Sequence, residues 1–346
     1  MKAVVIREHG DIERVRYEDI PEPESIAPHE VRVAVRAAAL NHLDIWVRKG
    51  RPGTSQPFPH VLGSDAAGVV EAVGSAVTQW KVGDEVILNP GLSCGQCAAC
   101  RRGEQSECIQ FGIVGLTRPG TFAEYVVVPA GNLARKPAHL SWEEAAALPL
   151  AYVTAWRMLF TRARLQPGET VLIHGIGGGV ALAALQLARL CGARVIVTSS
   201  SNAKLERAKT LGAADVINYA STENLAGTIL DVTRGEGVDV VVDTTGAATW
   251  GVNLEVARKG GRIVHCGVTT GPRADANVSL IYWKQLSVLG STMGSDEDFR
   301  RLVAATEANR LKPVLDNVYP LSEGKEAQRR MERGEQFGKI VLNVST

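Results

Sequence analysis

Four cysteines fall within a short stretch, GLSCGQCAACRRGEQSEC, as Cys94, Cys97, Cys100 and Cys108 with spacing C-x2-C-x2-C-x7-C. Four thiolates brought this close suit a tetrahedral Zn²⁺ with every position taken by protein. That is a structural site, with no open position for chemistry. Two disulfides are the alternative a reducing compartment disfavours, and an iron–sulfur cluster is another use of closely spaced cysteines. Cys191 and Cys266 lie in apolar surroundings and read as core residues.

A second stretch carries a different chemistry. Val171-Leu172-Ile173-His174 reads as a buried strand, Gly175-Ile176-Gly177-Gly178-Gly179 as a turn, and the Ala/Leu-rich run to Leu190 as a helix. Strand, glycine turn and helix start form the geometry of a dinucleotide-binding unit. The glycines let backbone approach a pyrophosphate, and the helix N-terminus offers free N–H groups and partial positive charge. A tight turn with no ligand is the bland alternative. One helix later, Arg194 to Val197 reads as a second strand, followed by Thr198-Ser199-Ser200-Ser201-Asn202-Ala203-Lys204. An enzyme using NAD places a carboxylate at this strand end for the ribose 2′-hydroxyl; Ser199 stands there instead. Hydroxyls with Lys204 suit a 2′-phosphate, so the expected cofactor is NADP(H), with NAD as the alternative. Ser201 also suits a cap for a helix over Asn202 to Leu211.

The elements that must hold these groups divide the chain in two. Val238 to Val242, ending in Asp243-Thr244-Thr245-Gly246, and Gly261 to Cys266, ending in Gly267, read as further strands of a parallel sheet. The first part shows no such alternation. Ala3 to Ile6 and Glu30 to Arg36 read as strands, Ile20 to Ser25 as a loop, and residues 61–88 as short strands and turns of a small barrel. After Gly290, Asp296 to Arg310 reads as a helix and Gly338 to Val344 as a strand of the first part's character. The expected division is therefore 1–150 with 291–346, including a cysteine lobe over 91–110, and a cofactor domain over 151–290.

At 346 residues two domains are expected. Lys and Arg number 38 and Asp and Glu 37, a balance that argues against nucleic acid or an anionic membrane as partner. MKAVVIREHG does not read as a signal peptide, and no window approaches the roughly 18 uninterrupted apolar residues of a membrane span. The expectation is a cytoplasmic protein acting on a small molecule.

These pieces together resemble the zinc-type medium-chain dehydrogenase/reductase superfamily, the alcohol dehydrogenase and quinone oxidoreductase group, over nearly the whole chain. The resemblance implies an α/β protein with a GroES-like β-barrel catalytic domain and a Rossmann doubly wound parallel-sheet cofactor domain, assembled as a homodimer or homotetramer. It carries Gly63 to Gly74 and Val82 to Val86 in the barrel, and Gly338-Lys339-Ile340-Val341-Leu342 at the close. Ile176, Gly178 and Ala181 fall at its three fingerprint glycine positions, and Val180 backs the nicotinamide. The resemblance further places His42 at the pyrophosphate and Tyr219 and Lys339 at the 2′-phosphate. Thr154, Thr245, Gly267, Val268, Ser291, Thr292 and Met293 look like the nicotinamide contacts. Tyr282 to Leu289 reads as an apolar strand suited to joining subunits.

The family's catalytic zinc ligands are altered. Asn41 stands where a Cys is usual, Ser64 where a His is, and Leu150 where a Cys or carboxylate is. An amide, a hydroxyl and a hydrocarbon make a poor cage for Zn²⁺, which needs three protein ligands and an open position. The expected reaction is hydride transfer from NADPH to an activated C=C or a quinone without catalytic zinc. Asn41, Ser64 and Tyr152 are candidate donors to the developing oxyanion, and Asp44 an orienting acceptor. Trp46 and Phe58 either line an apolar substrate pocket or fill core. One alternative is a zinc-dependent alcohol dehydrogenase with displaced ligands among Asp65, Asp44 and His42; another is a non-catalytic dinucleotide-binding structural or redox-sensing protein.

Overall fold

The computed structural model describes residues 1–23, 26–50 and 56–344. Residues 24 and 25 of the loop expected over Ile20 to Ser25 lie outside the described residues. The chain forms two compact units, Met1–Val153 with Met293–Thr346, and Thr154–Thr292.

The first unit begins with β1 (Lys2–Ile6), β2 (Arg16–Asp19), β3 (Glu30–Ala39), α1 (His42–Lys49), β4 (His60–Val61), β5 (Asp65–Val73) and β6 (Glu85–Leu88). It continues through β7 (Gly91–Leu92), α2 (Ala98–Arg101), β8 (Gly112–Ile113), β9 (Tyr125–Pro129), β10 (Leu133–Arg135) and α3 (Trp142–Ala146). In β3 Val31, Val33 and Val35 alternate with Arg32, Ala34 and Arg36, and the period of two puts the valines in the core. β1, β2 and β4 form one antiparallel sheet around Ala3, Val5, Val61 and Ala123.

Helix α4 (Pro149–Trp156) leads into the second unit. There β11 (Thr170–Ile173), α5 (Gly179–Leu190), β12 (Arg194–Ser199), α6 (Asn202–Thr210), β13 (Asp215–Asn218), α7 (Leu225–Val232) and β14 (Val238–Asp243) alternate. α8 (Trp250–Val256), β15 (Ala257–His265), α9 (Val278–Trp283) and β16 (Ser287–Gly290) complete it. The six strands are all parallel, in the order β13-β12-β11-β14-β15-β16. Counted from β11 that is 3-2-1-4-5-6, the Rossmann order, with the switch point between β11 and β14. Both faces of the sheet are covered, so its strands are apolar runs; Leu172, Ile196, Val241 and Ile263 are fully buried.

The first unit then resumes with α10 (Asp296–Asn309), β17 (Leu315–Pro320), α11 (Gly324–Glu332) and β18 (Lys339–Asn343). β18 and β17 extend the sheet β10-β6-β5-β3-β18-β17, which β9 joins beside β3. Strand register here joins segments far apart in the chain. β3 lies between β5 and β18, with Ala39 opposite both Asp65 and Val341. The start of β5, the start of β18 and the residues just past β3 therefore converge at one sheet end.

One expectation is corrected. Tyr282 to Leu289 is not a strand: residues 278–283 are helix α9, and only 287–290 pair with β15. Asn277 accepts from the Leu280 amide and starts the helix.

Candidate active site

In the second unit Gly175 and Gly177 adopt φ +65° and +129°, conformations open to glycine at little cost. A Cβ at Gly175 would meet only the Thr245 hydroxyl, at 3.7 Å, and one at Gly178 nothing nearer than 4.0 Å. Gly178 is the N-cap of α5, and no side chain caps the helix. Val180 is half-buried in its first turn. The turn thus presents open space and free helix amides, which a pyrophosphate fits.

The strand ends supply the rest. Ser199 is buried, and its hydroxyl accepts from the Ser201 amide at 3.1 Å. Ser201 caps α6 through the Lys204 amide. Ser200 is exposed, Lys204 half-buried, and Tyr219 exposed with its amide donating to the Ser199 carbonyl at 3.1 Å. Ser199, Ser200, Lys204 and Tyr219 are therefore neighbours along one strand end. After β14, Thr245 is tied to the loop beyond β15, since its carbonyl accepts from the Thr270 amide at 2.9 Å. Gly267 has no room for a side chain, because its Cβ would lie 2.5 Å from the Thr244 carbonyl. Val268 and Thr292 are exposed, Ser291 donates its amide to His265 at 2.9 Å, and Thr154 is buried.

The first unit gathers Asn41, Asp44, Asp65 and Lys339 into one buried cluster. The Lys339 ammonium donates to the Leu40 carbonyl at 2.7 Å, the Asn41 Oδ1 at 2.6 Å and the Asp65 Oδ2 at 2.9 Å. Asn41 turns its Nδ2 to the same Asp65 oxygen at 2.8 Å. The other Asp65 oxygen accepts from the Leu150 amide at 2.8 Å. Asp44 accepts from the Asn41 amide at 2.7 Å, yet burial pushes its carboxyl up to about 7, against the pull of that amide and of Lys339. Ser64 is wholly buried, and its hydroxyl has no partner among the described residues.

The 2′-phosphate role expected of Lys339 is corrected by this geometry. All three ammonium protons have acceptors, and the side chain is 4% exposed. Tyr152 is also buried, its hydroxyl oxygen accepting from the Val314 amide at 3.3 Å; burial pushes its phenol up, keeping it protonated. Met293 is buried at φ +50°, and His42 is exposed with its ring edge-on to Trp46. Phe58 is 42% exposed against His9, which places it outside the core.

The four lobe cysteines bring their sulfurs within 4.8 Å of one another. Three of the pairs lie 3.5, 3.6 and 4.0 Å apart. Four thiolates around Zn²⁺ at about 2.3 Å imply S···S near 3.8 Å, so the cage fits that ion. The Cys100 and Ile109 amides pull the Cys97 thiol down to about 6. Among the described residues this is the one group of three or more Cys, His, Asp or Glu that converges in this way. The residues at the family's catalytic zinc position do not fit a metal. Asn41 offers its N–H side to Asp65, Ser64 is neutral, Leu150 is a hydrocarbon, and a fixed ammonium already lies against Asp65.

Two pairings escaped the sequence reading: that of Asp65 with Lys339, and that of His174 and Asp243 through Asn253. Asp65 carried one usable signal, a carboxylate opening an apolar strand.

A Rossmann unit with an uncapped glycine turn, and a mostly antiparallel unit bearing a four-cysteine lobe, define a nicotinamide-dependent oxidoreductase class. Residues 27–138 match the model of the alcohol dehydrogenase GroES-like domain, and residues 179–308 that of the zinc-binding dehydrogenase domain. A zinc-type alcohol dehydrogenase-like protein of Schizosaccharomyces pombe is 36% identical, covering 99% of each chain. The crotonyl-CoA carboxylase/reductase of Cereibacter sphaeroides is 34% identical over 94% of this chain and 83% of its own. A crystal structure of an NAD-dependent alcohol dehydrogenase matches with TM-score 0.95 and 46% identity over 100% of both chains. The chain belongs to the zinc-type medium-chain dehydrogenase/reductase superfamily and is an oxidoreductase of that group. No helix among the described residues is long and apolar enough to cross a membrane.

Proposed function

We propose that the protein reduces an activated C=C bond or a quinone with NADPH, and that it does so without a catalytic metal. The observation that carries this reading is the Lys339–Asn41–Asp65 cluster, whose donors and acceptors satisfy one another. NADPH, when bound, supplies the hydride. The glycine turn and the first amides of α5 bind its pyrophosphate. Ser199, Ser200, Lys204 and Tyr219 border the adenosine ribose, with no carboxylate at the end of β12 to repel a 2′-phosphate. Thr245, Gly267 and Val268 border the nicotinamide.

Charge developing on the acceptor oxygen needs donors fixed in advance. Of the three expected, Asn41 has its amide committed to Lys339 and Asp65, while Tyr152 accepts from Val314 and retains its hydroxyl proton. Among the three, the Ser64 hydroxyl has no partner among the described residues, and we assign it as a donor to that charge. Asp44 orients Asn41 through its backbone amide. The Cys94, Cys97, Cys100 and Cys108 cage holds one structural Zn²⁺. β16 is an edge strand flanked by exposed Tyr282 and Trp283, which suits a homodimer or homotetramer. The similarity to an NAD-dependent alcohol dehydrogenase supports a second reading, alcohol oxidation with NAD.

The test is a substrate panel. Purified protein is assayed with NADPH or NADH against 1,4-naphthoquinone, an enone and an enoyl thioester, and with NADP or NAD against primary and secondary alcohols, each with and without chelator. NADPH-dependent reduction that survives chelation is expected. Chelator-sensitive alcohol oxidation as the dominant activity overturns the reading.

A further inference from the structure

Below the glycine turn a line of buried polar groups crosses three adjacent strands. Thr198 is the penultimate residue of β12, His174 follows β11, Asp243 ends β14, and Asn253 reaches in from α8; all four are at most 1% exposed. His174 Nδ1 lies 3.1 Å from the Thr198 hydroxyl and its Nε2 2.8 Å from Asn253 Oδ1. Asn253 Nδ2 lies 2.6 Å from Asp243 Oδ2. The other Asp243 oxygen accepts the Thr245 amide at 2.6 Å and the Gly246 amide at 3.2 Å.

The direction of the line follows from its end. An ionised carboxylate only accepts, so Asn253 must donate through Nδ2 and accept through Oδ1. His174 then carries its proton on Nε2 and accepts the Thr198 hydroxyl proton on Nδ1. The charges agree. Burial opposes ionisation of Asp243, but the His265 ring at 3.7 Å, the Thr245 amide and the Thr249 hydroxyl outweigh it and hold the carboxyl down at about 2. Burial pulls His174 below its ordinary value, so the ring is neutral. A polar line with one direction, in a place where neighbouring strands carry Val and Ile, needs a reason beyond stability, because a buried hydrogen bond gives only about 1 kcal/mol net.

We infer that Asp243 is a positioning residue. It holds the Thr245–Gly246 amides and so sets the loop that borders the nicotinamide, while the Thr198–His174–Asn253 line locks its carboxylate to the strand that borders the ribose. The inference rests on the dinucleotide reading of the glycine turn. Gly246, at φ +99°, lets the loop bend back over the carboxylate. The loop acts on the reactive ring, whereas the glycine turn acts on the pyrophosphate. Loss of Asp243 should therefore lower kcat more than it weakens cofactor binding.

The experiment compares wild type with Asp243→Ala, Asp243→Asn and Asn253→Leu. It reads kcat, the NADPH dissociation constant by fluorescence, the melting temperature, and amide hydrogen exchange over residues 243–250 without cofactor. Asp243→Ala is expected to lose at least about 10-fold in kcat with less than about 3-fold change in NADPH affinity. Asp243→Asn keeps an oxygen for the two amides and should recover most of that loss. Asn253→Leu should speed exchange at Thr245 and lower kcat by a smaller factor. Equal losses in kcat and affinity, no recovery with Asn, or unchanged exchange in Asn253→Leu would overturn the inference. Failure of wild type to bind NADPH or NADH would instead refute the dinucleotide reading, and the exchange data would still decide whether Asp243 orders the loop. Should Asp243→Ala not fold, the Asn and Leu variants carry the comparison.

Discussion

Lys339 is the residue on which most depends. Its side chain is 4% exposed and that of Asp65 is 0%, so neither charge has water to fall back on. Removing one partner of such a pair leaves the other buried and uncompensated, at a cost of about 3–5 kcal/mol. Lys339→Met should destabilise the protein by roughly that amount in urea unfolding, and Asp65→Asn added to it should recover a large part. Additive losses would contradict the pairing. Asp44 gives a prediction with a definite sign. Its carboxyl stands at about 7 in the folded chain, against about 3.9 when unfolded. Between those values the native state binds the extra proton, so the group's contribution falls as pH rises from about 4 to about 7 and is level above. A shift of this size corresponds to at most about 4 kcal/mol. Asp44→Asn resembles the protonated form, so its melting temperature relative to wild type should be higher at pH 8 than at pH 5. A difference independent of pH would contradict the assignment. Of these residues, the cysteines were legible because their partners lie within a short segment. Lys339 was not, because its carboxylate lies 274 residues away and only the strand registers join them.

At the scale of elements, the long apolar strands and the glycine turn were readable from residue order. β13, a strand of four residues, and helix α7 were not, because neither has a strong period of its own. The misread stretch 282–289 shows why. Its apolar run suggested a strand, but Asn277 caps a helix, and the ammonium of Lys284 donates to the Leu254, Glu255 and Ala257 carbonyls at the end of α8. The cap is a local signal the reading passed over, and the Lys284 contacts are tertiary ones that local pattern does not reveal. The glycine turn offers a test at this scale. Gly175→Ala meets open space but must hold φ +65°, so it should lose about 1 kcal/mol of stability. If the turn receives pyrophosphate, NADPH affinity should fall by a larger factor than that strain explains. Unchanged affinity would mean that the turn binds nothing.

For the whole molecule, the superfamily was legible through its motifs, the four-cysteine lobe, the glycine turn and the closing strand, while the change of pattern near residue 150 suggested two domains. The altered residues Asn41, Ser64 and Leu150 were readable in the sequence; the lysine with three acceptors that lies among them required the folded chain. On the proposed reading the two metal positions of the family meet different fates in this chain. The four cysteines form a cage that fits Zn²⁺, so on the proposed reading Cys97→Ser or strong chelation should lower the melting temperature, read by calorimetry. The cluster at Asn41 and Asp65 keeps an ammonium. Metal content per chain tests this most directly, measured on protein purified with zinc present and again after cobalt exchange with absorption spectra. The expected result is one ion per chain, with the spectrum of a four-thiolate site. Two ions per chain, the second bound by oxygen ligands and lost on substitution of Asp65, would contradict it.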